Sequence, residues 1–416
     1  MKIRFRILTL VCVLIFSLSG CAVMSSNNNR SPEQEKILNE TISIYDKDEN
    51  LITDIEHFGS ITQTDDGFIY SKLSSNSTNQ FYVMEYFHYI FSTDEHKRLG
   101  TIENWVYEAT YDSFCKNNHT YMLITTGNAY NFYETENYLY DIDLLNNTMT
   151  RVMIENATSP YNSMTFFNDR IFIVTPGREM CFVSSYDIGD KSVSELREYY
   201  FDPDTNSGET IRHISSDDQC LYLLRLYMEG ENQAKMYIDV FDLNLAHISS
   251  LDVTTEITAN TLESEDKNNE LRQLVSHFDV NNNFIYYENF SITRALFEIQ
   301  NINLTDTEQV QSKQVFEASP ALYKALSTSA NNELSIFYEA YQNKIFVMDS
   351  VTRQISENSF FVKGQNYRIT YMTYDLQGNA LLFLDYIDPD SFETMPSKIY
   401  FVNISEIKNS IVDSSE

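Results

Sequence analysis

Glycine and proline are scarce, with 11 and 7 in 416 residues, which excludes collagen-like and Gly/Pro-rich low-complexity chains. Cysteine is also sparse. Five are present: Cys12, Cys21, Cys115, Cys181 and Cys220. The last three are too far apart for a disulfide framework, and each stands in an apolar, strand-like context. They read as buried thiols, with a single bridge as the alternative. None of the seven histidines falls into a spaced metal motif, so zinc has no support. Basic residues are outnumbered, 29 Lys and Arg against 60 Asp and Glu. A nucleic-acid partner needs a basic footprint and is excluded, and broad contact with an anionic lipid surface is disfavoured. Gly-x-Ser-x-Gly, His-Glu-x-x-His and Gly-x-x-x-x-Gly-Lys are all missing. No catalytic residue is nominated, because 60 acids single out no carboxylate pair.

Long apolar runs are confined to the start of the chain. Lys2, Arg4 and Arg6 precede the apolar run Ile7 to Leu18, which ends in Leu18-Ser19-Gly20-Cys21. About 12 apolar residues are too few to span a ~30 Å hydrocarbon core as a helix, whereas a secretory signal has this order. Removing residues 1–20, which carry three basic and no acidic residues, takes the formal charge from −31 to −34. The segment Leu18 to Cys21 resembles the lipobox of bacterial lipoproteins. That resemblance implies recognition of Leu18, Ser19 and Gly20 by the signal peptidase, cleavage before Cys21, and acylation of Cys21 by palmitate-type chains. Two or more acyl chains give stable anchoring. The expected division is a signal peptide at 1–20, a lipidated cysteine with a flexible polar tether at 21–36, and one folded domain at 37–416.

Aromatic residues are plentiful, with 29 Tyr and 27 Phe, and favour strands. A polar turn followed by an apolar, aromatic-rich strand recurs seven times. The turns begin at Asp66, Asn117, Asn168, Asp217, Asn281, Asn331 and Gln377, and five of the six intervals lie between 46 and 51 residues. Asn, Asp and Gly there suit tight hairpin turns. A further strand–turn–strand element follows each one, as in Tyr138 to Val152. About four short strands per period predicts an all-β chain, a seven-bladed β-propeller of four-stranded antiparallel blades. Two β-sandwiches are the competing arrangement. Residues 41–55 read as an extra strand–turn–strand unit that pairs with the last blade and closes the ring, and Lys408 to Val412 as a weak final outer strand.

Label the strands of a blade a to d from the centre outward. The a–b and c–d turns are short. The long connections are b–c segments (73–80, 125–137, 228–235, 385–397) and d–a segments (202–210, 254–269), all at one end of the ring. That end is the candidate binding surface. Tyr130, Phe132, Tyr133, Glu134 and Glu136 combine aromatics with carboxylates in one predicted loop, a platform for a sugar or peptide. Asp385, Asp388, Asp390 and Glu393 form a candidate calcium cluster, and Asp202, Asp204, Asn206 and Glu209 another. Asp46-x-Asp48-x-Asn50 lacks the remaining EF-hand features, and Trp105 reads as core. No cofactor is expected beyond the lipid at Cys21. The resulting expectation is a monomeric binding or scaffold protein on the extracytoplasmic face of the cell membrane, with a protein, peptide or glycan partner. The alternative is a carbohydrate-active propeller enzyme.

Overall fold

Apolar strands such as Gly67–Leu73, Ser163–Phe167, Met180–Asp187 and Leu221–Met228 are buried on both faces, and that burial organises the molecule. The computed structural model describes residues 39–253, 278–303, 312–327, 334–360 and 367–405, with short interruptions inside these stretches. The signal segment, Cys21, the tether, Trp105 and residues 408–412 lie outside the described residues.

A hairpin of β1 (Glu40–Tyr45) and β2 (Leu51–His57) comes first. Four-stranded antiparallel meanders follow. The first contains β3 (Ile61–Thr64), β4 (Gly67–Leu73), β5 (Tyr82–Ile90) and β6 (Glu95–Asn104). The second contains β7 (Tyr107–Lys116), β8 (His119–Asn128), β9 (Asn131–Asp143) and β10 (Thr148–Met153). The third is β11 (Ser163–Phe167), β12 (Arg170–Pro176), β13 (Met180–Asp187) and β14 (Val193–Asp202). The fourth is β15 (Ser207–Ser216), β16 (Leu221–Met228), β17 (Ala234–Phe241) and β18 (His247–Asp252). Pairing of Phe201 with Gly208 and Asp202 with Ser207 joins these two into one eight-stranded sheet. The fifth is β19 (Phe278–Asn281), β20 (Phe284–Ser291), β21 (Leu296–Asn303) and β22 (Ser312–Ala318).

In the sixth, the inner strand divides at Ala325 into β23 (Leu322–Lys324) and β24 (Leu326–Ser327). β23 pairs with β25 (Leu334–Glu339), and the sheet continues through β26 (Lys344–Asp349) and β27 (Ile355–Ser359). The last sheet holds β28 (Tyr367–Tyr374), β29 (Asn379–Ile387) and β30 (Thr394–Asn403). β24 runs parallel to β28 on its inner side. On its outer side β1 runs parallel to β30, with Ser43, Ile44 and Tyr45 opposite Lys398, Ile399 and Tyr400. The outer edge of β30 is thus occupied from the other end of the chain.

The fold is a β-propeller, and these groups are compatible with seven blades. Successive residues of a strand point to opposite faces, and here the two faces feed different cores. Ile69 packs with Met122, Ile124 and Tyr140 of the second meander. Its neighbours Phe68 and Tyr70 pack with Leu381 and Ile399 of the last sheet and with Ile44. Tyr121 and Leu123 likewise face Phe166 and Ile171, while Phe172 and Val183 face Leu221 and Leu223. Among the described residues, cores of this kind lie between the first and second, second and third, third and fourth, and sixth and last sheets, and one joins the last sheet to the first. Two sandwiches would not be linked in this way. Burial on both faces also explains why Phe68-Ile69-Tyr70 reads as a continuous apolar run instead of an alternation.

Candidate functional site

The a–b and c–d turns crowd one end of the ring, and Asp and Asn side chains build them. Asn117 and Asn118 have φ of 52° and 63°, and Asn168 and Asp169 have 49° and 59°. Two successive left-handed residues define a type I′ hairpin turn. The c–d turn after β9 is held by Asp143, whose Oδ1 accepts the Leu145 and Asn146 amides at 3.0 Å. Asp242 accepts Asn244 and Ala246 amides at 2.9 and 2.8 Å. A five-residue turn occurs in the same form at Asp46–Asn50 and Asp375–Asn379. In both, the Asp carboxylate accepts the amide of the fifth residue at 2.8 Å and its Asn Nδ2 at 2.9 Å. Glu49 and Gly378, each fourth in its turn, have φ of 63° and 78°. Bonds from Asn50 hold the Asp46 carboxyl below the usual range, and bonds from Asn146 do so for Asp143.

A cavity of about 200 Å³ opens at this end among the second, third and fourth meanders, lined by Lys116, Phe166, Asn168, Asp169, Asp217 and Leu243. The Lys116 ammonium stands 3.9 Å from the Phe166 ring centroid and 2.7 Å from Asp169 Oδ1. Asn168 Nδ2 donates to the Leu243 carbonyl at 3.0 Å, tying two meanders together. Asp217 accepts the Gln219 and Cys220 amides at 2.8 Å and the Tyr222 hydroxyl at 2.7 Å. That volume is below the size of a drug-sized site. Sequence reasoning missed this cavity. The available signal was that Lys116 and Asp169 adjoin two equivalent a–b turns.

At the opposite end, the segments 125–137, 228–235 and 202–210, expected to be loops, are extensions of hairpins, and 254–269 lies outside the described residues. β8 and β9 stay in register through Thr125–Asn137, Thr126–Glu136 and Gly127–Thr135. Phe132, Tyr133, Glu134 and Glu136 therefore lie on strand β9, not on an open loop, and Tyr130 lies outside the described residues. The 228–235 and 202–210 segments are hairpins too, closed by Met228–Ala234 and Asp202–Ser207 pairs. The physical reason is general: backbone amides and carbonyls of an extension find partners most readily in the neighbouring strand.

In the middle cluster Asp202 and Glu209 point to different partners, and Asn206 lies outside the described residues. Asp202 uses its oxygens on the Asp204 amide at 2.9 Å and the Thr205 hydroxyl at 2.8 Å. The Thr205 bond leads in holding its carboxyl below the usual range. Glu209 faces Arg225 at 2.7 Å instead. Among the described residues no group of three or more His, Cys, Asp or Glu is arranged to hold a metal. Asp385 pairs opposite Arg368 on β29. Asp388, Asp390 and Glu393 lie outside the described residues.

Buried polar groups elsewhere tie neighbouring strands together, and one of them also links two meanders. Arg225 grips Asp239 with Nε–Oδ2 at 2.6 Å and Nη2–Oδ1 at 3.0 Å. Ser250 donates to the same carboxylate at 2.5 Å. Burial by itself would raise the Asp239 carboxyl, but the bonds from Arg225 and Ser250 override it and hold the carboxyl below the usual range. His119 Nδ1 lies 2.7 Å from Asp141 Oδ1, and the Tyr186 hydroxyl of the next meander donates to the other oxygen at 3.3 Å. Cys115, Cys181 and Cys220 are thiols without a disulfide. Burial pushes Cys115 up to about 12 and raises the other two, which makes all three poor nucleophiles.

No protein-family model matches this chain, and no curated protein matches it in sequence. Similar solved structures include an acylaminoacyl peptidase from Pyrococcus horikoshii, at 11% identity and a TM-score of 0.42 over 67% of this chain and 43% of that one. This chain thus spans less than half of that enzyme. The β-propeller domain of the Trilobed protease from Pyrococcus furiosus is 14% identical, with a TM-score of 0.40 over 70% of this chain and 83% of that domain. Apo AztD from Citrobacter koseri is 10% identical, with a TM-score of 0.41 over 88% and 96% of the two chains. At these values the likenesses say nothing about ligand or activity.

Proposed function

We propose that this propeller is a lipid-anchored binding or scaffold protein on the extracytoplasmic face of the cell membrane. It is held there through Cys21 and presents the β8–β9 arm to a protein, peptide or glycan partner. One observation supports the binding reading. Phe132, Tyr133, Glu134 and Glu136 lie on a β8–β9 hairpin that stays in register through Thr125–Asn137, Thr126–Glu136 and Gly127–Thr135, which sets aromatic and carboxylate residue types together on one rigid element.

The test is binding of the full-length protein to arrays of envelope-derived peptides and cell-wall glycans, with and without Tyr130→Ala, Phe132→Ala and Tyr133→Ala combined. Retained wild-type binding in the triple variant removes the arm as the surface. Turnover of an arrayed glycan, read as a change in its mass, overturns the binding reading in favour of an enzyme.

A further inference from the structure

The point at which the chain enters the folded body decides which end of the ring faces the membrane. Asn39 is the first described residue, and its side chain is pinned. Its Nδ2 donates to the Leu73 carbonyl at 3.1 Å, and its Oδ1 accepts the Leu73 amide at 2.7 Å. Leu73 is the last residue of β4, at the b–c end of the first meander. The direction of β1 agrees. It runs parallel to β30, a c strand, and c strands start at the b–c end. The hairpin then turns at Asp46–Asn50 beside the a–b turns and returns along β2.

We infer that the b–c and d–a end, with the β8–β9 arm, stands nearest the bilayer, while the end bearing the Lys116–Asp169 cavity faces away. This orientation rests on the lipid-anchor reading above. Eighteen residue steps separate Cys21 from Asn39, so their span is at most roughly 60 Å whatever their conformation. Nine- or ten-residue strands such as β5 and β6 make the ring roughly 30 Å thick. Turning the cavity end toward the lipid would use about half of that reach to pass the ring's flank. With the b–c end inward, no such detour is needed. The formal charge of −34 after removal of residues 1–20 leaves an anionic surface with no general attraction to turn the ring over. A partner for the arm must then approach within the gap between ring and bilayer, whereas a soluble ligand reaches the cavity freely.

Energy transfer to the lipid surface tests this. In a Cys220→Ser background, a donor dye is placed on the full-length lipidated protein at Glu229→Cys, on the b–c side, or at Leu145→Cys, on the c–d side; both native positions are exposed. The protein is reconstituted in phosphatidylcholine vesicles carrying an acceptor-labelled headgroup. Transfer from the Glu229→Cys site is expected to exceed that from the Leu145→Cys site at least twofold. Equal or reversed efficiencies overturn the orientation. If the wild-type protein fails to float with the vesicles and takes up no labelled palmitate, the anchor reading fails separately. The same donors on chain 22–416, which lacks Cys21, held by an N-terminal histidine tag on nickel-chelating lipid, then still decide the orientation.

Discussion

Gln63 and Asp375 are 312 positions apart in the chain, yet Gln63 Nε2 donates to Asp375 Oδ2 at 3.0 Å and to the Asn379 carbonyl at the same distance. Gln63 is wholly buried and Asp375 is 2% exposed. The contact links the inner strand of the first meander to the a–b turn of the last sheet. Phe91 and Phe401 reinforce the seam, with ring centroids 4.2 Å apart.

Replacing this amide tests the seam. Gln63→Ala removes a hydrogen bond to a buried carboxylate and leaves a void, so a loss of about 2–4 kcal/mol is expected in urea unfolding. Gln63→Glu sets a second carboxylate against Asp375. It should cost more at neutral pH than at pH 4, where one of the two carries a proton. A pH-independent loss would show that the Gln63–Asp375 contact is not electrostatic.

His88 is 4% exposed, and its Nε2 lies 3.1 Å from the Thr64 hydroxyl. Burial pushes its pKa from 6.5 down to about 4. The unfolded chain therefore takes up a proton near pH 6.5 that the folded chain accepts only near pH 4, so stability falls as pH drops through this window. The full loss is about 3 kcal/mol. His88→Gln should flatten the stability profile between pH 6.5 and 4 in chemical denaturation. An unchanged slope would place the dependence on other groups.

Arg225→Met leaves Asp239 as a buried charge without its guanidinium, at an expected cost of about 3–5 kcal/mol at pH 7. The Asp239 carboxyl is depressed in the folded protein. Its contribution is therefore present above the unfolded value near 3.9 and is lost as pH falls through the folded value. The stability gap between wild type and variant should narrow below about pH 4. A constant gap would mean that lost packing of the arginine stem, not charge, sets the cost.

Ile44 is wholly buried on β1 and packs with Leu381, Ile399 and Phe68. Ile44→Ala should cost about 2–5 kcal/mol and lower the midpoint of the whole unfolding transition. Deleting 37–56 should abolish cooperative unfolding, whereas deleting only 22–36 should leave the midpoint unchanged. Unaltered melting after removal of the hairpin would show that it adds nothing to closure.

Much of this architecture is legible in the amino-acid order, for local reasons. A strand buried on both faces must be apolar throughout, so Phe68-Ile69-Tyr70 and Leu221-Tyr222-Leu223-Leu224 declare themselves. The turns between strands need left-handed backbone, so Asn117-Asn118 and Asn168-Asp169 declare themselves too. The interval between such turns then gives strands per repeat and the fold class.

Tertiary structure alone decided what depends on partners distant in the chain. No local pattern tells whether Asp202 and Glu209 converge on a cation; the fold gives one to its own turn and the other to Arg225. The 125–137 segment looks like a loop because its polar residues break the apolar run, yet its backbone groups pair across a hairpin. The cavity beside Lys116 exists only because three meanders converge on it. Sequence fixes the spacing of strands and turns because those are governed by neighbours a few residues away. Which carboxylate meets which donor, and at which end the chain enters the ring, depends on contacts between residues as far apart as Ile44 and Ile399, and those form only when the ring is assembled.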